Sequence, residues 1–220
     1  MTLAGGEEGM STQRLGLLGG VFDPPHNGHL ACAELARNHL HLDPFFLVPA
    51  GDPPHKHGSV HACGAQRLAM LQLAMGNTPA FSIYTGELEH DGPSYTVDTV
   101  SEVARRYPHH ELCFVMGSDN LAELPSWHRW RSLLDTVTLC VTLRPGYPLE
   151  LPPGCEHCRV RTFPSPGWEL SSTKLRGLIA AGHSCRYLIP DPVRNYIASH
   201  NLYRSAQGTP AAHPADYSNE

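Results

Sequence analysis

No stretch of this 220-residue chain approaches the roughly 18 to 20 consecutive apolar residues that a membrane-spanning helix needs, so no such helix is expected. Positive charge is scarce as well: 16 Lys and Arg stand against 21 Asp and Glu, a formal net charge of −5. Binding to DNA or RNA draws on clustered Lys and Arg that displace counterions, so a nucleic-acid partner is not expected. A small anionic ligand needs only a local set of donors, which net charge does not oppose. A disulfide framework is missing too. The seven cysteines are an odd number, and only Cys155 and Cys158 form a C-x-x-C pair. No second pair follows at zinc-ribbon spacing, so the pair reads as part of a surface loop, with a structural metal as the minor alternative. The first residues hold two acidic side chains and no apolar core, unlike a secretory signal, and a cytoplasmic protein is the expectation.

What is present describes a folded globular chain of one domain, 41% hydrophobic and 17% charged. Residues 1–13 and 205–220 are polar and rich in small residues, and are expected to be disordered tails around a single domain, 14–204. Between them apolar runs alternate with helical spacing. Strands are expected over 15–22, 45–49, 81–84, 112–116, 137–143 and 159–163. Helices are expected over 30–41, 65–75, 96–107, 121–134, 172–181 and 192–201. The stretch 50–64, rich in Pro, Gly and His, reads as a loop. Such alternation implies an α/β protein with a parallel sheet covered by helices on both faces. Ligands in these folds sit at the carboxyl ends of the strands, where strand order reverses.

The segment Gly19-Gly20-Val21-Phe22-Asp23-Pro24-Pro25-His26-Asn27-Gly28-His29 falls at that place. Two glycines at the end of the first strand let a phosphate approach the backbone without a Cβ in the way. Near Asn27 and Gly28 a helix starts, with His26 and His29 three apart across its first turn, so both can face one point. Free N–H groups and the positive dipole end favour an anion there. The segment is neither a P-loop nor G-x-G-x-x-G, and no Ser/His/Asp or Cys/His order suggests a covalent nucleophile. A single histidine at a helix start can merely cap or pack; the complete run reads as a site for phosphates undergoing in-line attack.

A second run, Leu170-Ser171-Ser172-Thr173-Lys174-Leu175-Arg176, also opens a helix, with Ser171 as its N-cap. Cations near a helix start oppose the macrodipole, a local cost that an anion bound there would offset. An ordinary capped helix with surface basic residues is the other reading. The two runs, about 150 residues apart, can serve one triphosphate only if the fold brings them together.

On these residues the chain resembles the H-x-G-H nucleotidyltransferases, and over roughly 15–204 it resembles the bacterial nicotinate mononucleotide adenylyltransferases. The second run resembles their I-S-S-T-x-I-R motif, with Leu170 and Leu175 as conservative departures. Val21 stands where Thr or Ser is common. The resemblance implies a Rossmann-like doubly wound parallel sheet with a small C-terminal helical part. It also implies an enzyme that joins ATP and nicotinate mononucleotide, giving the dinucleotide and pyrophosphate in NAD biosynthesis without a covalent intermediate. His26 and His29 would then be catalytic. Gly19, Gly20, Phe22, Asp23, Gly117, Asp119, Ser172, Thr173 and Arg176 would bind ATP. Lys56, Tyr95, Thr96, Trp127 and Arg144 would bind the pyridine nucleotide, with Trp127 stacked on its ring.

Mg²⁺ is expected, carried largely by the ATP phosphates, with Asp23 and Asp119 as candidate contacts. A homo-oligomer is compatible with the sequence. Two alternatives differ in kind: an enzyme like phosphopantetheine adenylyltransferase, a shorter relative, and a non-catalytic nucleotide- or metal-binding module.

Overall fold

The computed structural model describes residues 13–53, 60–90, 92–143, 149–165 and 167–204, without the side chain of Asp119. The stretches expected to be tails lie outside the described residues, apart from Gln13, which opens the first strand.

Six strands form one sheet in the order β3-β2-β1-β4-β5-β6, with every pairing parallel. They are β1 (Gln13–Gly20), β2 (Leu42–Pro49), β3 (Ser82–Ile83), β4 (His110–Gly117), β5 (Val137–Leu143) and β6 (Val160–Pro164). This is the doubly wound order, and it reverses between β1 and β4. The helices are α1 (Asn27–Leu40), α2 (Gly64–Met75), α3 (Thr96–Arg106), α4 (Ser118–Glu123), α5 (Trp130–Thr136), α6 (Ser172–Ala180) and α7 (Asp191–Ser199).

Strand alternation splits the core in two. Leu15 and Leu17 of β1, Phe114 and Met116 of β4, and Leu139 and Val141 of β5 meet Val97, Val100 and Val103 of α3 and Leu133 of α5. On the other face Leu18, Val115, Cys140 and Phe163 meet Ala33 and Ala36 of α1 and Leu71 of α2. A third cluster joins Met70 of α2 to Leu175 of α6 and to Val193 and Ile197 of α7. It fastens the C-terminal helices beside the carboxyl edge of the sheet.

The differences from the expected elements have local causes. The first strand stops at Gly20, not at 22, because Phe22 adopts a left-handed φ of 53° that no strand residue shares. The second strand begins at Leu42 despite Pro44. Arg14 pairs with Leu42 and Gly16 with Phe45, so one extra residue of β2 is taken up in an irregular register where Pro44 owes no ladder bond. The single helix expected over 121–134 is broken. Pro125 turns the chain into a short 3₁₀ turn, Leu124–Ser126, Trp127 is extended, and Arg129 has a left-handed φ of 49° before α5 starts. Cys155 is no surface residue: it is fully buried against the α3/α5 face of the sheet, with Cys158 packed beside it.

Candidate active site

Helix α1 begins at Asn27, where the sequence places its start, and its entry is held by a distant segment. The backbone N–H of Asn27 donates to the carbonyl of Leu188 at 2.9 Å, and its side-chain amide donates to that of Tyr187 at 2.7 Å. Gly28 permits the close approach of the second run: a Cβ there would lie 3.0 Å from His26 Nδ1 and 3.3 Å from the Leu170 Cβ.

His26 and His29 do face one point, their rings stacked with centroids 3.6 Å apart. Phe22 sets the edge of its ring against His29 at 4.9 Å. The backbone N–H of His26 donates to Nδ1 of His29 at 3.2 Å, so that nitrogen is an acceptor and the ring proton sits on Nε2. His26 is 4% exposed, and burial pulls its pKa down to about 4. At neutral pH it is a neutral imidazole, a hydrogen-bond donor and not a cation.

The second run arrives where the first one turns. Ser171 caps α6 by accepting from the Lys174 N–H at 3.3 Å. The Ser172 hydroxyl donates to the Pro24 carbonyl at 2.9 Å, and Arg176 Nη1 donates to the Asp23 carbonyl at 2.8 Å. The N-termini of α1 and α6 therefore converge over the end of β1, two sets of N–H donors aimed into one space.

Asp23 lines this space, yet its carboxylate turns inward and the side chain is 2% exposed. It accepts the backbone N–H groups of His61 at 2.7 Å and Ala62 at 3.1 Å, and the Tyr203 hydroxyl at 2.6 Å, with Arg176 Nη1 at 3.9 Å. Burial raises the Tyr203 phenol pKa, and the bond to Asp23 raises it further. The carboxylate offered by sequence as a metal contact is thus engaged by the protein's own donors.

The sequence reading missed Arg67. This guanidinium, 2% exposed, donates to the carbonyls of Val21 at 3.0 Å, Ala50 at 2.6 Å, Gly51 at 3.0 Å and Ala62 at 3.3 Å. It ties the loops after β1 and β2 into one unit, while burial lowers its pKa. Its signal was available: Arg67 lies one turn before Met70 and Leu71 on the apolar stripe of α2. Val21, the departure from the family pattern, holds its place through this backbone contact.

The space is a cleft of about 460 Å³, within the range of small-molecule sites. Gly19, Gly20, Phe22, His26, His29, Gly117, Ser172, Thr173 and Arg176 line it. So do Tyr95, Thr96 and Trp127, on the α3/α5 side of the sheet. Trp127 stands edge-on to Phe114 at 5.9 Å, and Tyr95 lies 4.2 Å from the His128 ring, another residue the sequence did not single out. Lys56 and Arg144 lie outside the described residues, as does the Asp119 side chain. Among the described residues no group of three His, Cys, Asp or Glu could hold a metal ion, which includes the Cys155 and Cys158 loop. None of the described helices is long and apolar enough to cross a membrane.

A doubly wound sheet whose switch point carries two converging helix N-termini is the architecture of a nucleotide-handling α/β protein. The cytidylyltransferase-like family matches residues 17–178. The nicotinate-nucleotide adenylyltransferase of Bacillus subtilis (strain 168) is 37% identical over 193 residues, covering 88% of this chain and 100% of its own. A protein of Exiguobacterium sibiricum, named as a probable nicotinate-nucleotide adenylyltransferase, is 42% identical over 86% of this chain and 98% of its own. The fold also matches the Plasmodium falciparum nicotinic acid mononucleotide adenylyltransferase complexed with NaAD. There the TM-score is 0.71 at 18% identity, over 87% of this chain and 97% of that one. The chain belongs to the cytidylyltransferase-like nucleotidyltransferases, and within them to the nicotinate-nucleotide adenylyltransferases.

Proposed function

We propose that this chain transfers the adenylyl group of ATP to nicotinate mononucleotide, giving nicotinate adenine dinucleotide and pyrophosphate, a cytoplasmic step of NAD biosynthesis. One observation carries the reading: the helix starts after His26 and Ser171 meet in one cleft, tied by Ser172 to Pro24 and Arg176 to Asp23. Phosphate-binding ends that close on each other suit a triphosphate better than two separate ligands.

A phosphate oxygen of nicotinate mononucleotide attacks the α-phosphorus of ATP. The new P–O bond forms as the bond to the bridging oxygen breaks, and that electron pair leaves on pyrophosphate. The attacking oxygen is already ionised, so no general base is required, and His26, with its pKa pulled down to about 4 by burial, is only a weak base. The work left to the protein is to orient the phosphates and to place donors where charge develops. His26 and His29 serve the α-phosphate, and Ser172, Thr173 and Arg176 the leaving phosphates. Gly19, Gly20 and Gly117 let the chain of phosphates lie against the sheet edge. Asp23 acts in this reading by holding Arg176 and the 61–62 backbone in place.

Trp127 offers a flat ring to the pyridine, and the start of α3 at Thr96 offers backbone N–H groups to its carboxylate. An amide in that place would need an acceptor for its NH₂, so the acid form is favoured. Lys56 and Arg144 are proposed contacts of the mononucleotide phosphate, and Asp119 of the adenosine. Mg²⁺ bound to the ATP phosphates would neutralise their charge, and a substrate-borne ion fits a cleft whose buried carboxylate is already engaged. Incubation with ATP, Mg²⁺ and nicotinate mononucleotide should release pyrophosphate and one dinucleotide in equal amounts. Pyrophosphate release without the acceptor would overturn the reading.

A further inference from the structure

Thr142 is the penultimate residue of β5 at the carboxyl edge of the sheet, paired with Gly117 on one side and Phe163 on the other. Alternation puts it on the same face as Cys140, the α1 face, opposite Val141. Thr138, four residues back on that face, donates its hydroxyl to Glu111 at 2.7 Å. The Thr142 hydroxyl has no such partner among the described residues, although the side chain is only 9% exposed. It lines the cleft. A buried hydroxyl without a partner is costly, and one that faces a ligand site is accounted for when the ligand supplies the partner.

The layout says which part of the ligand that is. Trp127 packs on the α3/α5 face through Phe114, whereas Thr142 faces the α1 side. The phosphate donors lie between, over the end of β1. From β1 to Thr142 the cleft crosses β4 and reaches β5, about 10 Å at two interstrand spacings of roughly 4.8 Å. In the adenylyl-transfer reading, a pyridine on Trp127 would leave the opposite face to the other nucleoside, with Gly117 of β4 beside its sugar and β5 within reach of its base. A threonine hydroxyl rotates to donate or accept, and an adenine edge carries both an amino donor and ring-nitrogen acceptors.

We propose that the Thr142 hydroxyl hydrogen-bonds the purine base of ATP and so contributes to selection of that substrate; this rests on the adenylyl-transfer reading above. The test compares the full-length protein with Thr142→Val, which keeps the shape and removes the hydroxyl, and with Thr142→Ser, which keeps the hydroxyl. Calorimetric titration with ATP alone should show about tenfold weaker binding for Thr142→Val, or about 1.4 kcal/mol. KM for nicotinate mononucleotide should stay the same. Tripolyphosphate, which has no base, should bind both proteins alike. Melting of the ligand-free Thr142→Val protein should match or exceed wild type, because an unpaired buried hydroxyl has been removed. Thr142→Ser should bind ATP within about threefold of wild type, since one hydrogen bond separates the two variants.

Unchanged ATP affinity in Thr142→Val would overturn the proposal. So would equal weakening of tripolyphosphate, a Ser variant as weak as the Val variant, or a lowered melting temperature with both substrates weakened. A wild-type protein that binds ATP but makes no dinucleotide would instead overturn the adenylyl-transfer reading, with the ATP titrations still readable.

Discussion

The hydroxyl of Ser172 reaches the backbone carbonyl of Pro24 across 148 residues of sequence, at 2.9 Å. This contact, with Arg176 on the carbonyl of the preceding residue, Asp23, brings two helix starts together over one cleft. The loop that it steadies is held from behind by groups that never face the ligand, and these are open to experiment.

Tyr203 donates to the buried Asp23 carboxylate at 2.6 Å from the far end of the domain. Tyr203→Phe removes that donor and little else. The loss should be about 1–3 kcal/mol, as for a buried hydrogen bond to a charged group. Thermal melting should fall by roughly 2–12 °C at about 2–4 °C per kcal/mol for a domain of this size. An unchanged melting temperature would remove the Tyr203–Asp23 bond from the account.

Arg67 serves four carbonyls with one planar guanidinium, a task that an ammonium on a flexible stem does not reproduce. Arg67→Lys should therefore destabilise by about 2–4 kcal/mol, since it leaves buried carbonyls unpaired. Chemical denaturation measures this. Retention of full stability would mean that the loops after β1 and β2 hold their shape without the guanidinium.

Burial makes stability depend on pH through His26. Its pKa is about 4 when folded, against 6.5 when exposed, so between those values the unfolded chain binds the extra proton. Stability from this group is complete above pH 6.5 and is lost as pH falls towards 4. Between pH 7 and pH 5 the loss is roughly 2 kcal/mol. Denaturation of wild type and His26→Gln at the two values isolates the effect, and the variant should lack that part of the slope. Equal slopes would contradict a buried, neutral His26.

The chemistry separates from the binding in two variants. His29→Ala should lower kcat by about 10²–10³, the cost of one preorganised donor to developing charge. Trp127→Ala should chiefly raise KM for the pyridine nucleotide, by about tenfold, because stacking is made equally in ground and transition states. Steady-state kinetics with each substrate varied distinguishes the two. A Trp127 variant that lost kcat at unchanged KM would place the ring elsewhere than on the pyridine.

Much of the architecture could be read from local pattern. The run of β5, apolar but for Thr138 and Thr142, has the bounds that the sequence predicts, Val137–Leu143. His26 and His29 were expected to face one point because three residues across a helix start do so, and their rings stack. What pattern could not convey is contact at long range. Asp23 sits beside His26 in the loop after β1 and so reads as a candidate metal contact; only the fold shows that residues 61, 62 and 203 hold its carboxylate. Arg67 stands on the apolar stripe of α2, but the carbonyls it serves come from the loops after β1 and β2, which local pattern does not bring to it. Cys155 belongs to a lone C-x-x-C pair that reads as part of a surface loop, while packing against the sheet buries it. Pro125 interrupts the helix expected over 121–134, as a proline inside a helical run does.

The central claim is adenylyl transfer to the acid form of the pyridine nucleotide, and acceptor selectivity tests it most directly. Pyrophosphate release from ATP and Mg²⁺ should be measured with nicotinate mononucleotide, nicotinamide mononucleotide and phosphopantetheine in parallel. The account predicts turnover with nicotinate mononucleotide, kcat/KM for the amide lower by about tenfold or more from the mispaired NH₂, and no turnover with phosphopantetheine. Equal kcat/KM for acid and amide, or a preference for phosphopantetheine, would contradict it.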